Sequence, residues 1–126
     1  MIILIFHTIK MGDTFKKKYS FEKRKNESSN VYKKYPDRIP IIVEKHHSST
    51  LPDIDKCKYL VPKDMTMSQF MFFIRKRIRL DSSQTLFFTI KHDLVSSSTL
   101  LSSVYHDRKD DDGFLYVTYT NENVFG

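Results

Sequence analysis

Residues 66–78, TMSQFMFFIRKRI, carry two independent helix signals. Thr66-x-x-Gln69 is a capping box, in which each end satisfies an orphan backbone N–H of the other. Met67, Phe70, Met71, Ile74 and Ile78 recur at helical spacing and make one apolar face, while Arg75, Lys76 and Arg79 point elsewhere. Phe73 stands off that face. A helix with a single apolar stripe must lie against another element. The elements on either side of it read as short strands.

RIPIIVEK, residues 38–45, holds the β-branched run Ile39–Val43, a strand with both faces partly buried. KCKYLVP follows, sending Lys58 and Leu60 to one side and Tyr59 and Val61 to the other. Its lysines and the closing Pro62 are what an edge strand carries. These two strands, close in sequence, are expected to pair antiparallel. After the helix come a strand over Thr85–Ile90, a short helix over Thr99–Asp107 and a strand over Phe114–Tyr119 that is apolar on both faces. DDDG before the last strand is a turn, with Gly113 at positive φ and the aspartates in water. Near the N-terminus, Ser20 caps a helix from Phe21, and Tyr35-Pro36 stops it because a residue before proline avoids helical geometry. That helix is polar nearly all round, so it lies on the surface and touches the body along one narrow edge. The order of elements gives an α+β domain with a helix crossing one face of a sheet.

At 126 residues and 40% hydrophobic, with ten Phe and seven Tyr, the chain reads as one globular domain. Cys57 is the single cysteine, so no internal disulfide forms, and a reducing compartment fits. No apolar run approaches the ~20 residues of a membrane span. The apolar head MIILIFHTIK has neither the positive region nor the cleavage site of a signal peptide. The net charge of +6 is lopsided: residues 1–63 hold 14 Lys/Arg against 7 Asp/Glu, and residues 64–126 hold 7 against 8. The basic half could attract nucleic acid, an anionic membrane or an acidic peptide. KKKYSFEKRK interleaves aromatics with cations as single-strand binders do, but Glu22, Glu27 and Asp37 interrupt the basic region, so specific nucleic-acid binding is not expected.

No enzyme constellation stands up. His46-His47 has no acidic or cysteine partner at metal spacing. Cys57 sits between Lys56 and Lys58, which could lower its pKa, but it lacks an identifiable His/Asn set. There is no glycine-rich phosphate loop, and the aspartates at 110–112 are contiguous rather than spaced like a calcium loop. The expectation is a non-enzyme without metal or cofactor.

Taken in order, FEKRK, KKYPDRIPIIVEK, KYLVPKDMTMSQFMFFIRKRI, LFFTI and DDDGFLYVTYTNENVFG closely resemble the autophagy-related protein 8 family, which includes GABA-A receptor-associated protein and microtubule-associated light chain 3. The resemblance runs from about residue 11 to Gly126. It implies a ubiquitin-like β-grasp with two additional N-terminal helices, over Phe15–Lys18 and Phe21–Lys34. The implied division is a helical subdomain over 13–35, the β-grasp over 36–120 and a tail over 121–126. Residues 1–10 lie outside the family pattern.

The resemblance further implies binding of aromatic-x-x-aliphatic peptides, often flanked by acids, which add a strand to an exposed sheet edge, here Lys58–Pro62. Glu27, Val31, Pro40, Ile42, Lys58, Leu60 and Phe114 would line the aromatic pocket. Tyr59, Val61, Pro62, Met65, Phe70 and Phe73 would line the aliphatic one, and Arg38, Lys56 and Lys58 would meet the acidic flank. On the residues alone, Leu60, Val61, Phe70 and Phe114 are equally ordinary core residues of a small α+β domain. Met65 and Phe73 stand where the family more often has Leu. LVSSSTLL replaces a proline-containing loop, and Cys57 replaces a polar or basic residue.

The same resemblance gives the final NENVFG its meaning. Family members are joined to phosphatidylethanolamine through a C-terminal glycine carboxylate, passed between activating and conjugating enzymes, and Gly126 holds that position. The expected molecule is a cytoplasmic monomer until conjugated, then bound through its lipid to the autophagosome or another organelle membrane. A role on a plastid-like organelle and an unconjugated peptide-binding module are the alternatives. For residues 1–10 three readings stand: a membrane-touching segment, a strand that swaps onto a neighbour's edge, and, preferred, an upstream start ahead of a native Met11.

Overall fold

The computed structural model describes residues 14–121 and the backbone of residues 4–7. Within them the elements run β1 (Leu4–His7), α1 (Phe15–Lys18), α2 (Phe21–Lys34), β2 (Arg38–Lys45), β3 (Lys58–Pro62), α3 (Met67–Arg77), β4 (Phe87–Ile90), β5 (Asp93–Leu94), α4 (Leu101–Arg108) and β6 (Leu115–Thr120). The strands form one sheet in the order β1-β3-β2-β6-β4-β5. Only β2 and β6 run parallel among the described pairs, Ile41 opposite Leu115 and Val43 opposite Val117. This central parallel pair with antiparallel flanks is the ubiquitin-like α+β arrangement that the sequence led us to expect.

Alternation along β2 explains how the sheet is covered on both faces. Ile39, Ile41 and Val43 join Tyr59, Val61, Phe70, Ile74 and Leu101 in the main core, on the face crossed by α3 and α4. Ile42 joins Phe15, Cys57 and Phe114 in a smaller cluster on the opposite face, under α1. A strand apolar on both faces is what a two-sided sheet demands of its centre. Helix α3 begins at the capping box on Thr66 and Gln69, with both reciprocal bonds formed. Two more of its first N–H groups donate out of the helix, Met67 to the Thr99 carbonyl at 2.9 Å and Ser68 to the Ser97 carbonyl at 2.8 Å. The serine-rich loop is thus held by backbone bonds where the family resemblance had led to a proline. Met67, Phe70, Ile74 and Ile78 are buried as their spacing required. Helix α2 starts on the Ser20 cap and ends at Lys34, as the sequence indicated.

Four expectations change. Strand β4 begins at Phe87 rather than Thr85, and α4 occupies Leu101–Arg108 rather than Thr99–Asp107. Strand β3 is not an edge: β1 pairs with it antiparallel, Leu4 opposite Leu60 and Ile5 opposite Tyr59. Within the chain, Leu4–His7 therefore adds to its own sheet. The aspartates of the turn are not all in water. Asp111 is exposed, but Asp112 is fully buried because Arg24, 88 residues away, needs a counter-charge there.

Candidate functional site

Helix α2 lies beside β3, and its placement depends on polar contacts rather than on an apolar stripe. Its buried residues are Arg24 and Ser28, one turn apart. Arg24 Nη1 donates to Asp112 Oδ2 at 2.6 Å, and the Tyr116 hydroxyl donates to the same oxygen at 2.5 Å. Asp112 Oδ1 accepts from the Phe114 N–H at 2.9 Å. Ser28 Oγ donates to the Asp112 carbonyl at 2.5 Å. Gly113 sits beside this seam at φ +89°, and a Cβ there would fall on the Ser28 hydroxyl. Burial and the bond to Asp112 push the Tyr116 phenol well above its ordinary range.

The next face of α2, at helical spacing from that seam, looks onto β3. Glu27, Asn30, Val31, Lys34 and Tyr35 line a cavity of about 200 Å³ with Lys58 as its floor. Lys58 is only 5% exposed and forms an ion pair with Glu27. Loss of water lowers the ammonium's pKa, because burial penalises the charged form. Glu27 supplies the compensating charge. An apolar wall at Val31 beside a paired cation suits a group that is part aromatic and part acidic.

Of the residues assigned to the aromatic pocket, the structure brings Glu27, Val31 and Lys58 together at this cavity. Pro40 and Leu60 face each other in the β2–β3 register, while Ile42 and Phe114 lie in the cluster beneath α1. Leu60, Ile42 and Phe114 are fully buried and do not line the cavity. Of the second set, Tyr59, Val61, Met65 and Phe70 belong to the main core. Phe73 packs half-buried against them, its ring 5.9 Å from that of Tyr59 and 6.5 Å from that of Phe70, and Pro62 is also half-buried. Phe72, not Phe73, is the exposed aromatic of this helix, with the Lys76 ammonium 4.5 Å from its ring centre. Arg38 reaches across to donate to the Leu60 carbonyl at 3.3 Å, and the Lys56 carbonyl accepts from the Tyr59 hydroxyl at 2.8 Å.

Asn30, Lys34 and Tyr35 belong to the cavity but escaped the sequence reading. Their signal was there: 27, 30, 31 and 34 share one helix face. Cys57 is not an activated thiol. It is buried against Phe15, Ile42 and Phe114, and burial, with Glu44 nearby, pushes it up to about 12 despite the flanking lysines. The His46 and His47 rings lie 4.2 Å apart, tilted by 30°, and burial followed by its histidine neighbours lowers the His46 pKa. Among the described residues, no group of three or more His, Cys, Asp or Glu side chains could hold a metal ion. No helix among them is long and apolar enough to cross a membrane. Gly126 lies outside the described residues.

Comparison with known proteins fits this geometry. Residues 23–126 match the family model described as "Autophagy protein Atg8 ubiquitin like". The chain is 53% identical over 115 residues to Autophagy-related protein 8e of Arabidopsis thaliana, covering 91% of this chain and 94% of that one. It is 49% identical over 116 residues to Autophagy-related protein 8 of Mycosarcoma maydis, covering 92% and 98%. The crystal structure of Trypanosoma brucei ATG8 superposes with a TM-score of 0.83 at 38% identity, covering 90% of this chain and 98% of that one. A β-grasp built around a parallel β2–β6 pair, two helices ahead of it and identities near one half over nine-tenths of the chain lead to one conclusion: this protein belongs to the Atg8 family of ubiquitin-like proteins of autophagy.

Proposed function

We propose that this chain is a lipid-conjugated modifier that brings peptide-bearing adaptors to a membrane. In this reading it is not a catalyst. Activating and conjugating enzymes join the Gly126 carboxylate to the amine of phosphatidylethanolamine. Glycine suits a carbonyl that must enter a narrow enzyme channel, because it has no Cβ. The family match extends to residue 126, which supports this role for the glycine. The protein is then a cytoplasmic monomer before conjugation and sits on the autophagosomal membrane after it.

The observation that carries the docking half is the cavity between α2 and β3, with Val31 as wall and the buried Lys58–Glu27 pair at its floor. An aromatic side chain fills the cavity, and acidic flanking residues meet Lys58, Arg38 and Lys56. The aliphatic anchor rests near Pro62 and Phe73, the half-buried members of its set.

Reconstitution with the family's activating and conjugating enzymes and phosphatidylethanolamine liposomes tests the first half. The expected result is a lipid-mass adduct on the wild type and none on a chain lacking Gly126. No adduct, under conditions that modify another family member, would refute conjugation. Peptide binding retained in that case would leave an unconjugated docking module.

A further inference from the structure

Strand β1 occupies the flank of β3 that a docking peptide would need. The register places Leu4 opposite Leu60, Ile5 opposite Tyr59 and His7 opposite Lys58, with an irregularity between Ile5 and His7. On its other side β3 is already paired with β2 from Arg38–Pro62 to Ile42–Lys58. A strand has two hydrogen-bonding edges, so over Lys58–Leu60 both edges of β3 are taken. No further strand can add to β3 without removing β1. Its hold is short, four residues with one break in register. Four residues is near the short end of the usual strand range.

We propose that the N-terminal head is a built-in competitor: closed on β3 it blocks the docking edge, and adaptor peptides bind by displacing it. This rests on the docking reading above. It gives the strand Leu4–His7, which lies outside the family pattern, a regulatory task. The apparent dissociation constant of a peptide is its intrinsic value divided by the fraction of molecules in which β1 has left the edge. A head closed in nine molecules of ten therefore weakens binding about tenfold. Whatever opens the head, such as engagement of its apolar residues elsewhere, tightens adaptor binding by the same factor.

The test keeps the full chain and opens only the head. Along a strand alternate N–H groups face the neighbour, so a Leu4→Pro, Ile5→Pro pair removes the donor whichever of the two positions faces β3. Binding of a synthetic aromatic-x-x-aliphatic peptide with an acidic flank is measured on both forms. Hydrogen exchange of the β3 amides, recorded without peptide, reports the head directly. The expected result is about tenfold tighter binding by the proline variant, together with lost protection at the β3 amides that face β1. Equal and tight binding by both forms would overturn the built-in competitor while leaving the docking edge in place. If neither form binds, the docking reading itself fails, and competition fails with it, even where exchange shows the head opening. A concentration-dependent dimer that the proline pair dissolves would put the head on a second copy and overturn closure within one chain.

Discussion

Replacing Asp112 with asparagine is the sharpest test of how α2 is held against the sheet. The side chain keeps its shape and loses its charge. In the wild type it is fully buried, and its carboxylate accepts from Arg24, Tyr116 and the Phe114 N–H at 2.6, 2.5 and 2.9 Å. The substituted amide would retain one acceptor oxygen, but its NH2 would face donors. Arg24, whose side chain is 10% exposed, would keep a charge with no partner carboxylate. Breaking a buried pair by removing one member costs about 3–5 kcal/mol, because the remaining charge stays desolvated. A domain of this size has a total stability of about 5–15 kcal/mol, so the variant loses a large share of it. With a urea slope of about 2 kcal/mol per molar, the midpoint falls by about 2 M. Circular dichroism is the readout, since the chain has no tryptophan. Adding Arg24→Met to Asp112→Asn removes the stranded charge and should recover a substantial part of the loss, a coupling above ~1 kcal/mol. A single-variant loss under ~1 kcal/mol, or a double variant no more stable than the single, would refute the assignment of this ion pair as the lock on α2.

Three other outcomes follow from the same structure. Gly113→Ala must hold a methyl at φ +89° and place it on the Ser28 side chain, so it should cost about 2–3 kcal/mol in urea unfolding, and adding Ser28→Ala should recover only part of that loss, because the methyl still meets the Cβ of residue 28 at 2.9 Å and the backbone strain remains. Cys57, buried and pushed up to about 12, should resist a bulky maleimide at neutral pH and react at the rate of unfolding, as mass spectrometry in rising denaturant will show. Tyr59 and Tyr119 are fully buried, and burial raises both phenols above their ordinary value. In the unfolded chain each loses its proton near pH 10 while the folded one keeps it, so the stability they confer is whole below ~10 and is lost above it. The expected decline is about 1 kcal/mol per tyrosine between pH 10 and 11, steepening towards about 1.4 per pH unit above that, read from urea midpoints along that range.

The parts of this fold that were legible in the sequence are those with a period or a cap. The i, i+3, i+4 face of α3, the Thr66 and Ser20 caps and the alternation around Leu60 each announce themselves within a dozen residues. The seam under α2 has no such signature. Its members, Arg24, Ser28, Asp112 and Tyr116, are polar, and the pairing spans 88 residues between Arg24 and Asp112. A run of aspartates before a glycine reads as a wet turn until a buried guanidinium is known to face it. Strand β1 escaped for another reason: a short apolar run without alternation fits several roles, and only the geometry of β3 selects among them. For Cys57 the flanking lysines were a hint that the structure does not follow, and the plainer reading of a non-catalytic residue stands. Adjacency in sequence says little about which groups share a burial site, and Phe15, from a distant helix, decides the matter. At the site, the floor and one wall were anticipated through the family resemblance. Half of the α2 lining was missed because attention followed the strand rather than the helix face.

Under the docking reading, strand β3 divides recognition between backbone and side chains. One face of the strand, Tyr59 and Val61, is committed to the main core. One edge is committed to β2. What remains for a partner is the other face at Lys58, beneath α2, and the edge that β1 covers. Exchanging β1 for a peptide strand swaps one set of backbone bonds for a nearly equal set, so the backbone contributes little net preference. Cross-strand pairs add only about 0.2–1 kcal/mol each. Discrimination must therefore come from the α2 side, where about 200 Å³ beside Val31 can accept an aromatic group. A carboxylate from the partner there meets an ammonium already paired with Glu27, and it gains only the difference between itself and that residue. Under the docking reading, the acid flank thus acts as a filter for partners that also fill the cavity, and the depth of that filling sets the affinity.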